Sequence, residues 1–221
     1  KSVTTGQGDS GDTDVIFLTG VNQKHSGVEL ETNYMVNDML DLMFVASFGN
    51  WKFDGDANGN YQETEYNSEG QAIGYTTTEY AYALDGLYVG DMPQTSYVLG
   101  VTLKPIKDLR IQAIHKMYDK NYSDWSPSAR EFDGTNDDAD RAQVWEAPSY
   151  NRLDLHMSYK LPKVKDLDMM LTANIFNVLD EVYVQDAVDN SQYNGYGSKQ
   201  HLPHNAEVFL GTPRYANIGL S

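Results

Sequence analysis

The chain has 221 residues with 32 acidic against 16 basic side chains, a formal net charge of −16. That balance repels nucleic-acid phosphates and anionic membrane surfaces, and it suits cation binding and well-hydrated loops. There is no cysteine and hence no disulfide or thiolate site, while no run approaches the roughly 18 apolar residues of a transmembrane helix.

Sixteen tyrosines, many Gly and Asp/Asn residues and few long apolar runs lean towards an all-β chain. No signal-peptide pattern is visible at Lys1, where the polar run KSVTTGQGDSGDTD opens the chain. A first strand is expected near 13–20. The next, 23–36, holds GVELETNYMV, with Val28, Leu30 and Tyr34 set against Glu29, Glu31 and Asn33. Successive side chains of a strand point to opposite faces, so this alternation predicts a ribbon with one apolar and one polar side. Strand 39–53 repeats it, with Leu40, Leu42, Phe44, Ala46 and Phe48 on one face.

Beyond that strand comes DGDANGNYQETE, residues 54–65. Its oxygen-bearing residues fit the calcium-loop spacing D-x-[DN]-x-[DN]-G-x5-E. Calcium takes six to eight oxygen ligands, so Asp54, Asp56 and Asn58 would bind through side chains and Asn60 through its carbonyl. Gln62 would bind directly or through water, Glu65 with both oxygens, and Gly59 would allow the sharp turn. A structural Ca2+ in an external loop is the expectation; a solvated Asp/Asn/Gly turn is the plainer alternative. The stretch 77–94 also alternates. Strand parity places it in the long loop, as an extension of the strands above a membrane.

Further strands are expected at 93–104, with Tyr97, Leu99, Val101 and Leu103 together, and at 107–121, with Leu109, Ile111 and Ala113 against Arg110, Gln112 and Lys116. A long polar segment, 122–147, follows. Its FDGTNDDADR run holds Asp133, Asp137, Asp138 and Asp140 without metal-binding spacing and reads as a solvated acidic loop. The clearest alternation is YNRLDLHMSYKL, 150–161, carrying the strand expected near 148–160: Leu153, Leu155, Met157, Tyr159 and Leu161 oppose Arg152, Asp154, His156, Ser158 and Lys160. Strands at 166–179 and 207–220 complete a set of about eight. Between them HLPH supplies the one close histidine pair, His201 and His204, most simply two surface residues; His25 and His115 are isolated.

Short connectors (37–39, 105–108, 162–166) alternate with long polar ones (54–92, 122–147, 180–206). That is the habit of an outer-membrane barrel, with short periplasmic turns and long external loops. A soluble β-sandwich also alternates, but a core cannot accept Arg152, Asp154, His156 and Lys160 on one face unless that face meets water. No phosphate loop, HExxH or G-x-S-x-G is present, and no enzyme activity is expected.

LTANIFNVLDEVYV (171–184) resembles the penultimate-strand signature of TonB-dependent outer-membrane receptors, and GTPRYANIGLS (211–221) resembles their last strand. APSYNRLDLHMSYKLP and HSGVELETNY resemble their counterparts at the corresponding distances from the end, and VGDMPQTSYVLGV and GNWKFDGD look most like receptors of the Bacteroidetes. The resemblance implies that residues 1–221 are the C-terminal portion of a 22-stranded antiparallel transmembrane β-barrel in the outer membrane. The plug domain and the N-terminal strands would lie elsewhere in the receptor. Such receptors usually end in an aromatic residue, whereas this chain stops at Ser221. Nutrient uptake of the siderophore, cobalamin, glycan or peptide class would be driven through the TonB complex. Lipid surrounds such a barrel, and a surface lipoprotein is a further implied partner. Ligand contacts are expected from the loop aromatics Tyr61, Tyr66, Tyr80, Tyr82, Trp125, Tyr193 and Tyr196. Two alternatives stay open: a small closed barrel acting as adhesin or binding module, and a soluble calcium-dependent carbohydrate-binding sandwich.

Overall fold

The computed structural model describes residues 2–7, 13–132, 139–190 and 200–221. It consists of a wall and a cap. The wall is one seven-stranded antiparallel sheet: β1 (Gln23–Asn37), β2 (Leu40–Phe53), β3 (Thr95–Leu103), β4 (Leu109–Asp119), β5 (Tyr150–Lys160), β6 (Met170–Phe176) and β7 (Tyr215–Leu220). Within the sheet each pairs with its chain neighbours, in the order β7-β6-β5-β4-β3-β2-β1. The outer edges of β1 and β7 do not pair with each other, so this sheet is an open arc rather than a small closed barrel.

Register confirms the two-faced ribbon. Tyr34, Leu42, Val101, Ala113, Leu155 and Ile175 stand opposite one another across six strands. The row Leu103, Ile111, Met157, Ala173 and Ile218 lies on the same side. A one-residue slip would send every one of these side chains to the other face, so the pattern fixes the pairing. The opposite side carries Asn33, Asp41, Arg110, Gln112, Lys116, Arg152, Asp154, His156, Asn174 and Asn217. Many large apolar residues of the first side are open, Ile218 at 79 % and Val28 at 68 % exposure. Among the described residues no second sheet covers that side, as a sandwich would require. An apolar belt without a protein cover matches lipid, and the charged face matches a wet lumen.

The turns at the lower end are short. Asn37 accepts the Met39 N–H through its side chain at 2.8 Å, closing the β1–β2 turn. Asp108, at φ 68°, takes the left-handed conformation that Asx residues tolerate and closes β3–β4. At the other end Trp51 lays its ring over Gly49 and stacks on His25 at 5.4 Å, an aromatic filling the space a glycine leaves on a strand.

The first of the eight expected wall strands, 13–20, is not one. Thr13–Thr19 pairs with Ala57–Tyr66, not with the wall. Gln23 faces Phe53 and Thr19 faces Asn58, so the ribbon β1–β2 simply continues upward beyond a break at 20–22 and 54–56. Thr13–Thr19 is the outward extension of β1, which is why the wall has seven strands. The strand Ala72–Tyr82 also lies in the long loop, as its parity predicted. Together with Ser2–Gln7 and Glu131–Phe132 these form a five-stranded cap sheet.

A compact apolar core fills the cap. Leu18, Phe53, Ala57, Tyr82, Leu84, Leu87, Tyr122, Trp125 and Val144 are buried together, drawn from the upper ribbon and from both of the first two external connections. The expected strand 207–220 is split by a break at 211–214: only Tyr215–Leu220 joins the wall, while Glu207–Leu210 pairs with Val184–Asp189, the strand through which the last connection also meets Asp124–Trp125.

Candidate functional site

The six expected calcium ligands do not share a centre. Asp54 and Asp56 sit in the link after β2, while Asn58, Asn60, Gln62 and Glu65 lie along the extended strand Ala57–Tyr66. At about 3.3 Å per residue, the distance from Asp56 to Glu65 approaches 30 Å, against calcium–oxygen distances of roughly 2.3–2.6 Å. Asn60 is paired on both sides, to Phe17 and to Glu79, which commits its backbone to the ladder. Asp56 is already engaged. Arg141 donates two hydrogen bonds to it at 3.0 and 2.8 Å, and the Leu84 and Asp85 N–H groups donate to its Oδ1 at 3.0 Å. The Arg141 hydrogen bonds hold this carboxyl below its ordinary pKa. Glu65 accepts from the Thr76 hydroxyl across the hairpin. Among the described residues no cluster of three or more His, Asp or Glu side chains is arranged to hold a metal ion.

The expected ligand-contacting aromatics separate into groups. Tyr82 and Trp125 are core: Tyr82 is fully buried, its ring 6.0 Å from that of Trp125, which also meets Phe53 edge-on at 6.3 Å. Burial pushes the Tyr82 phenol up to about 12. Tyr80 is partly buried against this core, and Tyr66 is exposed. Tyr61 lies on a cap strand, where only its backbone is described. Tyr193 and Tyr196 lie outside the described residues, as do Asp133, Asp137 and Asp138.

Sequence reasoning passed over two polar clusters. The first is inside the wall. Asp154, almost fully buried on β5, accepts from Lys116 Nζ at 3.0 Å and from the Asn177 N–H at 2.9 Å, with Arg152 Nη2 at 3.6 Å. Arg152 in turn donates to the Tyr183 hydroxyl at 3.0 Å, and Tyr183 stacks on Tyr150 at 4.3 Å. The root of the last external connection is thereby folded onto the polar face. Further down, His156 and Asn174 meet at 2.8 Å, and Asn174 donates to Asn217.

The second cluster corrects two expectations at once. Asp140 is no solvated loop residue and His201 no plain surface histidine. Arg130, at 0 % exposure, donates to the Asp140 and Ala142 carbonyls at 2.8 and 2.7 Å and lies 3.4 Å from Asp189. His201 places Nδ1 2.5 Å from Asp189 and Nε2 2.9 Å from Asp140. Burial presses the Arg130 pKa down against the pull of both carboxylates. The Asp189 hydrogen bond comes first in raising that of His201. The signal that was available is Arg130 itself, an arginine just before an acidic run; two of its partners, Asp189 and His201, are 59 and 71 residues away.

Comparison with known proteins agrees with this architecture. The family described as TonB dependent receptor-like, beta-barrel, matches residues 2–178. Among solved structures, the siderophore receptor PiuA from Acinetobacter baumannii superposes with a TM-score of 0.52 at 18 % identity, covering 94 % of this chain and 25 % of that one. The ferric-catecholate import receptor Fiu from K12 E. coli gives 0.38 at 15 % identity over 99 % of this chain and 29 % of its own. No curated protein matches. The chain thus spans about a quarter of PiuA's length. With four-fifths of its residues inside the family match and its wall sheet two-faced, the chain belongs to the TonB-dependent receptor β-barrel family of the Gram-negative outer membrane.

Proposed function

We propose that the chain forms the C-terminal part of the barrel of an active importer, in which other strands complete about 22 and a plug fills the lumen. The wall keeps lipid out, the polar face lines the path, and the three external connections roof it. Energy would come from the TonB complex acting on the plug. The observation that carries this reading is the two-faced, open-edged wall: Leu155 and Ile175 share one face, while Lys116, Asp154 and His156 share the other. An open arc needs more strands before it can sit in a bilayer, because unpaired edge groups are not tolerated there.

PiuA is a siderophore receptor by its description; for this chain the cargo extends to any nutrient too large or too dilute for porins, whether siderophore, cobalamin, glycan or peptide. The test is growth of the source bacterium on a panel of such nutrients. Deleting the full-length receptor gene should abolish growth on one of them. Deleting TonB should do the same, and the receptor gene in trans should restore it. Growth on that nutrient undiminished without TonB would overturn the reading.

A further inference from the structure

We propose that His201 stands as an imidazolium in the assembled cap and acts as a pH-operated latch. It holds the segment 200–206 of the last external connection against the middle one at neutral pH and lets go as the medium turns alkaline.

The argument is one of donors and acceptors. Nδ1 faces Asp189 Oδ2 at 2.5 Å and Nε2 faces Asp140 Oδ2 at 2.9 Å. An ionised carboxylate can only accept, so each contact needs an N–H on the ring; neutral imidazole has one and imidazolium has two. Protonating a carboxylate instead is disfavoured, because the Arg130 guanidinium lies 3.4 Å from Asp189 and 3.6 Å from Asp140. With His201 charged, two cations meet two anions and the cluster is neutral. That suits a site in which Arg130 and Asp189 are almost wholly removed from water.

Deprotonation has an obvious place to occur. Arg130 Nη2 and Asn190 Nδ2 already stand 3.2 and 3.1 Å from Nδ1, so a ring that lost its proton there would accept from either. Asp189 would then face a lone pair in place of a donor, within a buried cluster left one unit negative. Among the described residues the titratable groups that act on the ring are Asp189 from Val184–Asp189, Arg130 from the one-turn helix Pro127–Arg130, and Asp140. The two carboxylates raise the histidine's proton affinity, while burial and Arg130 lower it, and the sum is upward. A folded value above the unfolded one gives a contribution fully present below the ordinary histidine range and lost as pH rises through the raised value. The latch therefore opens on the alkaline side.

The test uses the full-length receptor in detergent micelles. Imidazole nitrogen NMR should show both His201 nitrogens protonated at neutral pH, with a midpoint above the ordinary ~6.5. Hydrogen exchange, corrected for the intrinsic pH dependence, should show protection of 200–206 falling about tenfold across the same midpoint, on the scale of one charge-assisted hydrogen bond. His201→Gln is uncharged at every pH, with N–H donors on one terminal atom only and an acceptor oxygen on the other, and it should exchange like the alkaline form throughout. A neutral His201 at neutral pH, or a protection profile identical in wild type and His201→Gln, overturns the proposal. If the variant does not fold, the wild-type NMR titration decides by itself, and Asp140→Asn supplies a second variant, which takes the negative charge away from the Nε2 contact and from Arg130 and should lower the His201 midpoint. Neither readout depends on whether the receptor transports anything.

Discussion

In wall strand β5 every second side chain from Leu153 to Tyr159 is apolar and shares the uncovered outer face, whereas in the cap Phe53, Tyr82, Leu84 and Trp125 are buried among residues from separate connections. The wall is a ladder: each inner strand is fixed by its two neighbours, and its apolar side waits for lipid. The cap is a small globular core whose strands run from two to eleven residues, tied by buried ions. Substitutions in the two regions should therefore obey different rules. A wall position is judged by which face it is on, a cap position by how completely it is enclosed.

The largest effect is expected at Arg130. Replacing it with Met leaves Asp140 and Asp189 facing each other across His201 with one cation missing, and breaking a buried ion pair on one side costs about 3–5 kcal/mol. Proteolysis of the receptor in micelles should then cut the middle and last external connections while the wall stays intact. Trp125→Ala should act on the same region through packing, at about 3–5 kcal/mol, by opening a cavity beside Phe53 and Tyr82. Loss of the wall together with the cap in either variant would show that the two regions do not unfold separately.

The next comparison is within one strand. Leu155 and His156 are neighbours at the same height on β5 and point to opposite sides. Leu155→Arg puts a charge into lipid near mid-strand, at about 2–4 kcal/mol. His156→Arg stays in the lumen and loses about one hydrogen bond to Asn174, roughly 1 kcal/mol. Urea unfolding from lipid vesicles measures both. Equal costs would mean that the outer face does not meet acyl chains.

This contrast also explains what the sequence disclosed. The wall was legible because a strand's period of two is local: Val28, Leu30 and Tyr34 announce their face without knowledge of any partner. The errors there were local too: Gly20 to Asn22 looks like a turn between strands but is a break within one ribbon, and 207–220 looks like one strand but breaks at 211–214. The cap was not legible, because its core is assembled from residues as far apart as Leu18 and Val144. Tyr82 and Trp125 looked like loop aromatics free to touch a ligand. Nothing in their neighbourhoods signals that Leu84, Leu87 and Phe53 enclose them. His201 and Arg130 are likewise 71 residues apart, so their meeting is a fact of topology.

The smallest expected effects concern the acidic stretch that most resembled a motif. Arg141→Ala removes the two hydrogen bonds to Asp56, but both side chains are about a third exposed, so the loss should be about 0–1 kcal/mol and should shrink further in high salt. Because Arg141 holds the Asp56 carboxyl below its ordinary pKa, this small contribution is present above the usual carboxylate range and fades as pH falls through the lowered value. Calcium titrated calorimetrically into the receptor should give no heat that Asp54→Ala or Glu65→Gln removes. Gathering those oxygens would mean unmaking the strand Ala57–Tyr66, which is paired with Thr13–Thr19 on one side and Ala72–Tyr82 on the other. A saturable heat lost in either variant would mean that the free energy of coordination exceeds that of two antiparallel ladders, and residues 54–65 would then fold differently around the ion.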